Sequence, residues 1–318
     1  MKKIISLLLV MALALTLVAC GGAGSTLTMG TGGTAGTYYG YGGILGNQIK
    51  TATGITVNVV STDGSKANIL GMDEGNYQLG TVQSDVMAYA WEGARSFEKE
   101  GKIESFRVIG GLYAEAVQLV TMDPNIKSVA DLRGKKVSIG AAGSGVYFNA
   151  VDILAAAGMT ENDIVPQYQS FADSADALKD GKIDAAFIVA GAPTPAIQEL
   201  CTTTSAYLVP IDGDVATTLM NSSKFYTTYK IPANTYTGQT EEVTTVTVKA
   251  TLIVSATTSE DDVYNITKAI FENASAITTA HAKGAELSLK NATEGMTAPF
   301  HKGAAKYFAE KGITVESK

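Results

Sequence analysis

Cysteine, histidine, arginine and tryptophan are all scarce in this 318-residue chain: two cysteines, two histidines, three arginines and one tryptophan. His281 and His301 cannot build a cysteine/histidine metal centre, so no metal is expected, and no cofactor motif is found. The arginines, Arg95, Arg107 and Arg133, all fall outside the glycine-rich segments, so a bidentate guanidinium clamp on a carboxylate is not expected there. Positive charge as a whole is outnumbered, 24 Lys and Arg against 31 Asp and Glu, for a net charge of −7. Such a surface argues against nucleic acid as a partner. After residue 25 no stretch is long and apolar enough to cross a bilayer.

The one long apolar run is at the start. Met1-Lys2-Lys3 precedes an apolar segment from Ile4 to Val18, which ends in Leu17-Val18-Ala19-Cys20 and then Gly21-Gly22. A basic start, a short apolar stretch and a small residue before cysteine make the lipobox pattern of a bacterial lipoprotein signal. Residues 1–19 are expected to be a signal peptide and residues 20–25 a tether lipidated on Cys20. Acyl chains there would hold the protein to the outer face of the cell membrane without spanning it. Cys201 then has no partner for an intramolecular disulfide. Loss of Lys2 and Lys3 leaves 22 basic residues against 31 acidic, a net charge of −9.

What is abundant is glycine, 33 residues, and it is concentrated. Residues 28–43 read TMGTGGTAGTYYGYGG, and glycine at that density lets backbone come close to a bound group. A second segment, IGAAGSGVYFNA (139–150), repeats the shape of MGTGGTAGTYYG (29–40): strand end, glycine turn with a hydroxyl, then a helix opening with two aromatics. Short β-rich runs alternate with helical stretches along the rest of the chain, which predicts an α/β fold with largely parallel sheets. Strands are expected over 26–30, 55–62, 77–83, 107–113 and 117–122, the last two flanking Ala114-Glu115-Ala116. The helices after the glycine turns have unpaired N–H groups and a positive dipole end, so each turn can hold an anion.

Two chemistries fit poorly. Gly30 to Gly36 lacks the acidic residue about 20 positions on that a dinucleotide site needs, and no P-loop lysine follows. Ser144 lacks the nucleophile-elbow spacing because Ala142 stands at the first glycine position. His301 reads as a helix-start residue rather than a general base.

The ordered set TMGTGGTAGTYYGYGG, TDGSKANI (62–69), GTVQSDVMAYAWEG (80–93), IGGLYAEAVQLVT (109–121), SVADLRGKKVSIGAAGSG (128–145), GKIDAAFIVAGAPTPAI (181–197) and HKGAAKYFAEKGI (301–313) resembles the TAXI family of solute receptors. These are extracytoplasmic binding proteins of one branch of TRAP transporters. One departure is Lys302, where the family usually has proline. The resemblance implies a type II periplasmic-binding fold: two α/β lobes, residues 26–116 plus 248–318 and residues 117–247, joined by crossing hinge strands. It also implies a non-enzymatic monomer that captures a small carboxylate, glutamate-like or glutamine-like, and delivers it to TRAP membrane permease subunits. The positions that match the family's pattern and its chemistry are Thr34, Gly36, Tyr38, Ser65, Asn68, Gln83 and Ser84 in one lobe. Their counterparts in the other are Ser144, Gly145, Val146, Gly191, Pro193 and Thr194. If the solute carries an ammonium, its acceptor is Asp63, Asp85 or Glu115. An ABC-transporter receptor, or a secreted enzyme on the same scaffold, is the alternative.

Overall fold

The computed structural model describes residues 25–318; the leader and Cys20 lie outside the described residues. In chain order the first half runs β1 (Thr26–Gly30), α1 (Thr37–Thr53), β2 (Thr56–Val60), α2 (Ser65–Asp73), β3 (Leu79–Gln83), α3 (Ser84–Glu92) and β4 (Phe106–Thr121). The middle runs β5 (Lys136–Ser138), α4 (Gly145–Ala156), β6 (Val165–Gln167), α5 (Phe171–Lys179), β7 (Ala185–Ala190), α6 (Pro195–Thr203), β8 (Tyr207–Val209) and α7 (Gly213–Ser222). β9 (Thr227–Ile231), β10 (Val243–Ser255) and the helices α8 (Glu260–Glu272), α9 (Ala274–Ala280), α10 (Leu289–Thr293) and α11 (Lys302–Glu310) complete it.

Ten strands form one sheet in the order β2-β1-β3-β10-β4-β7-β5-β6, with β9 on β10 and β8 on β4. Pairing is parallel on both flanks, β2-β1-β3 and β7-β5-β6. It is antiparallel at the centre, where β10 meets β3 and β4, and β4 meets β7. The expectation of largely parallel sheets therefore holds for the flanks alone.

The two central strands are long because each serves both halves. β4 pairs with β10 over Phe106–Ala116, then with β7 over Ala116–Thr121. β10 pairs with β9 over Val243–Thr247 before reaching β3 at Ala250–Val254. The expected interruption at 114–116 is absent. Ala114, Glu115 and Ala116 face Lys249, Val248 and Thr247 in the ladder, and that long-range pairing overrides the weak β preference of Ala and Glu.

Apolar side chains divide the same way. One cluster is drawn from residues between Leu27 and Tyr113 and again between Ala250 and Phe308. Two others come from residues between Ala116 and Val248, one on each face of the β7 region. The crossings of β4 and β10 thus lie between separate cores. At the boundary the halves touch directly: Ala67 N–H donates to Gly143 O at 3.2 Å, and Ala196 N–H to Ala35 O at 3.1 Å.

Candidate functional site

Where the two halves meet, the β1–α1 turn, the start of α2, the end of β3 and Glu115 of β4 face the start of α4 and the β6–α5 loop. Between them lies a cleft with about 590 Å³ of unfilled space, part of it open to solvent. Its wall includes Gly32, Gly33, Gly36, Tyr38, Ser65, Gln83 and Glu115 from one side, and Ser144, Gly145, Val146, Gln169, Ser170 and Phe171 from the other. Among the described residues no lysine, arginine or histidine lines it.

Five helices begin at this wall, and three of them, α1, α2 and α4, have N-termini that are built alike. The residues preceding them are Gly36 for α1, Gly64 for α2 and Ser144 for α4, and none makes a side-chain cap. None of the three has an acidic residue in its first turn. The helix α5, which also begins at this wall, does cap itself: the Ser170 hydroxyl accepts from Asp173 N–H, as the Ser259 hydroxyl accepts from Asp262 N–H at α8. Gly64 sits at φ +104°, a backbone conformation open to glycine, which delivers the start of α2 to the cavity beside Ser144. First-turn N–H groups and dipole ends from both halves therefore converge on one space, with α2 spending its Ala67 N–H on Gly143 O and the geometry otherwise suited to an anion.

Acceptors share the wall. Glu115 is buried, and the Tyr38 hydroxyl donates to its Oε2 at 2.6 Å. Among the described residues no donor reaches Glu115 Oε1. Burial pushes this carboxyl up to about 8, against the pull of Tyr38 and the Lys283 charge; Asp85 adds to the rise. The Lys283 ammonium is itself held by Glu286 Oε1 at 2.7 Å and by the Tyr229 hydroxyl at 3.0 Å. Gln83 donates its backbone N–H to the Ser65 hydroxyl at 3.0 Å, whereas its Oε1 is buried with no donor. Gln169 Oε1 is in the same condition.

Of the positions singled out in sequence, Gly36, Tyr38, Ser65, Gln83, Ser144, Gly145 and Val146 come together on this wall. The others do not line it. Thr34 is exposed at the tip of its turn. The Asn68 amide is spent on Thr31 O and Thr81 O at 2.6 and 2.7 Å, bracing the turn from behind. Ser84 lines a separate groove with Ala114 and Lys249. Thr194 is locked by Gln118 and Tyr236, and Gly191 O accepts from Thr37. Pro193, beside them, follows a cis Ala192–Pro193 bond. Of the three acids left open, Glu115 is inside the cavity and Asp63 at its exposed rim, while Asp85 is buried against Asn149. The β6–α5 loop was not foreseen, since Gln169-Ser170-Phe171 carries no glycine signature.

A model of the NMT1-like family matches residues 29–312. The chain is similar to the solved alkanesulfonate-binding protein SsuA of Xanthomonas axonopodis pv. citri bound to MOPS, at 16% identity, 92% coverage of each chain and a TM-score of 0.50. It is similar to a putative L-cystine ABC transporter structure from Listeria monocytogenes at 18% identity, covering 83% of this chain and 98% of that one, with a TM-score of 0.52. A Streptococcus mutans structure, described for glutathione import via GshT and a cystine ABC importer, is similar at 15% identity over 88% and 99% of the chains, with a TM-score of 0.53. At these identities the likeness is one of fold, and the fold is the type II periplasmic-binding one, two α/β lobes joined by crossing strands.

Proposed function

The chain belongs to the NMT1-like family, and from that premise we propose that it is an extracytoplasmic solute receptor that closes around a small carboxylate and hands it to a membrane permease. The observation that carries this reading is the meeting of helix N-termini from both lobes, those of α1, α2 and α4 without a side-chain cap, on one cavity whose lining holds no lysine, arginine or histidine among the described residues. Gly36, Tyr38, Ser65, Gln83, Ser144, Gly145 and Val146 are the contact residues in this reading. Thr34, Asn68, Ser84, Gly191, Pro193 and Thr194 shape and brace the walls. The lobes are residues 26–116 plus 248–318, and 117–247. Cys20 is the lipid anchor.

Binding rather than turnover is supported by the names of the similar structures, which are those of binding and import proteins; Ser65, Ser144 and Ser170 lie on the wall, which holds no histidine or lysine among the described residues. The ordered sequence blocks favour a TRAP permease of the TAXI branch as partner. The names of the similar structures supply the second reading, a receptor for an ABC importer. The gene beside this one, a large fused permease or an ATPase, separates the two.

The test is a thermal-shift screen of the purified protein against small carboxylates, amino acids and sulfonates. A solute at 100 times its Kd adds about 2.7 kcal/mol to the folded state, a plain rise in Tm. A carboxylate hit that is lost when Ser144 is replaced by a bulky residue supports the proposal. A response to sulfonates alone overturns the carboxylate reading.

A further inference from the structure

We infer that Asp85 and Asn149 form a proton-binding site at the boundary between the two halves, and that a proton taken up there latches the halves together. The inference goes beyond the receptor reading and concerns a place outside the solute cleft, since neither residue lines it. It asks only that the halves part and meet about the strands β4 and β10 that cross between them.

The site is built from both sides of the boundary. Asp85 leaves the first turn of α3 and Asn149 leaves α4, and both are fully buried. Asn149 Nδ2 donates to Asp85 Oδ2 at 3.0 Å and to the Tyr226 hydroxyl at 2.8 Å, which commits both hydrogens of the amide. Two acceptors are left over. Asp85 Oδ1 and Asn149 Oδ1 are buried with no partner among the described residues. Tyr226 does not serve them, because its hydroxyl donates to Asp152 Oδ2 at 3.2 Å. Unmade hydrogen bonds are most costly in such a buried place.

The pair is short of one donor, and a proton on the carboxyl is the smallest group that supplies it. A protonated carboxyl and a carboxamide each offer one donor and one acceptor in a plane. They bond reciprocally, O–H to the amide oxygen and N–H to the acid oxygen, across the boundary. Ionised, the same carboxyl is a buried charge whose one side-chain partner among the described residues is a neutral amide.

The groups that face Asp85 favour the neutral form. Asp152 of α4 adds a second negative charge, and the nearby guanidinium of Arg95 is spent on Asp152 at 2.5 Å. Tyr89 of α3 and Tyr226 hold their protons, burial pushing both hydroxyls up, and Glu115 of β4 is a buried acid raised to about 8. Burial pushes Asp85 itself up to about 7, against the pull of the first-turn N–H groups and of Asn149. When the halves part, water reaches Asp85 and its carboxyl returns toward the ordinary range. The joined form therefore binds the proton more tightly. The ratio of joined to parted molecules is highest in acid, falls by up to about tenfold per pH unit as pH climbs from the ordinary carboxyl range to about 7, and then levels off.

The experiment is small-angle scattering of the purified, ligand-free protein in steps from about pH 4.5 to about pH 8. The expected result is a radius of gyration that grows with pH in one transition. Asp85→Asn carries an N–H in place of the acid O–H and is expected to stay compact throughout, with Tm preserved. Glu115→Gln is expected to keep the transition, which separates it from the other buried acid. Asn149→Asp sets a second carboxylate against the first, and two acids sharing one proton hold it more tightly, so the midpoint should rise by about one pH unit or more. A merely structural contact would not move that midpoint. Should Asp85→Asn not fold, the Asn149→Asp shift decides. A radius independent of pH in the wild type, a transition that survives in folded Asp85→Asn, or an unmoved midpoint in Asn149→Asp overturns the inference. The receptor reading stands in each of those cases, because solute binding alone tests it.

Discussion

The Thr37 hydroxyl donates to the carbonyl oxygen of Gly191 at 2.8 Å, a buried bond between positions 154 apart in sequence and on opposite sides of the interlobe boundary. It forms where the first turn of α1 meets the end of β7, directly beside the cavity wall. Since Gly191 O also accepts from the Thr194 hydroxyl at 3.1 Å, removing Thr37 leaves that oxygen partnered. Thr37→Val keeps the shape and removes one hydrogen bond that joins the two sides of the boundary. Solute affinity is expected to fall about fivefold, the equivalent of about 1 kcal/mol, with Tm of the ligand-free protein unchanged. Equal affinity in the variant, measured by titration, would show that this bond does not contribute to closure.

Gly145 makes the complementary contact. A Cβ placed there would run into the side-chain amide of Gln83 and stand 3.1 Å from Val86 Cγ2, so lobe-to-lobe approach at this point with any side chain displaces the buried Gln83 amide. Gly145→Ala is expected to hold the lobes apart. Binding should weaken by about tenfold or more, in line with overpacking elsewhere, while each lobe keeps its own core. Small-angle scattering in saturating solute checks it: the variant should stay more extended than the wild type. A variant that compacts fully would refute the steric account.

Parts of this site are legible in the sequence because their signals are local. The two glycine turns, the strand-to-helix alternation and the hydroxyls at helix starts are read within a dozen residues, and seven of the positions so chosen share the cavity wall. Other parts depend on partners far along the chain. Continuity of β4 through Ala114-Glu115-Ala116 comes from β10, over 130 positions away, and without it the placement of Glu115 cannot be deduced. Thr34 looks like its glycine-turn neighbours in sequence, but the turn's geometry directs it to solvent. Thr194 carries the same hydroxyl as Ser144, yet Gln118 and Tyr236 claim it first.

Two buried acids make the ligand-free protein sensitive to pH. Burial raises Glu115 to about 8 and Asp85 to about 7, both above their ordinary values. An acid whose native pKa lies above its unfolded one binds its proton more tightly when folded. Its stabilising contribution is complete below the unfolded pKa and is lost as pH climbs through the native one. The urea midpoint of ligand-free protein is therefore expected to fall between about pH 5 and pH 8.5. Glu115→Gln should flatten the upper part of that decline and leave the lower part, due to Asp85. A midpoint that rises over the same interval would contradict the assignment.

Arg95 and Asp152 form an ion pair across the same boundary, with Nη2 to Oδ1 at 2.5 Å. Arg95 precedes β4 and reaches the face of Tyr89 at 5.0 Å, whereas Asp152 is on α4 and also accepts from the Tyr226 hydroxyl at 3.2 Å. The arginine is 41% exposed in its side chain, so water and salt screen the attraction and its worth is small. Because the partners sit on different lobes, that small worth acts on closure rather than on the fold of either half. Arg95→Gln is expected to weaken solute binding by less than about tenfold at low ionic strength, and the deficit should shrink toward nothing near 1 M salt. Faster solute release, measured by stopped flow, should account for it, since mutational changes of affinity fall mostly on the dissociation rate. A deficit that persists undiminished in high salt would mean that Arg95 acts through packing on Tyr89 and not through its charge.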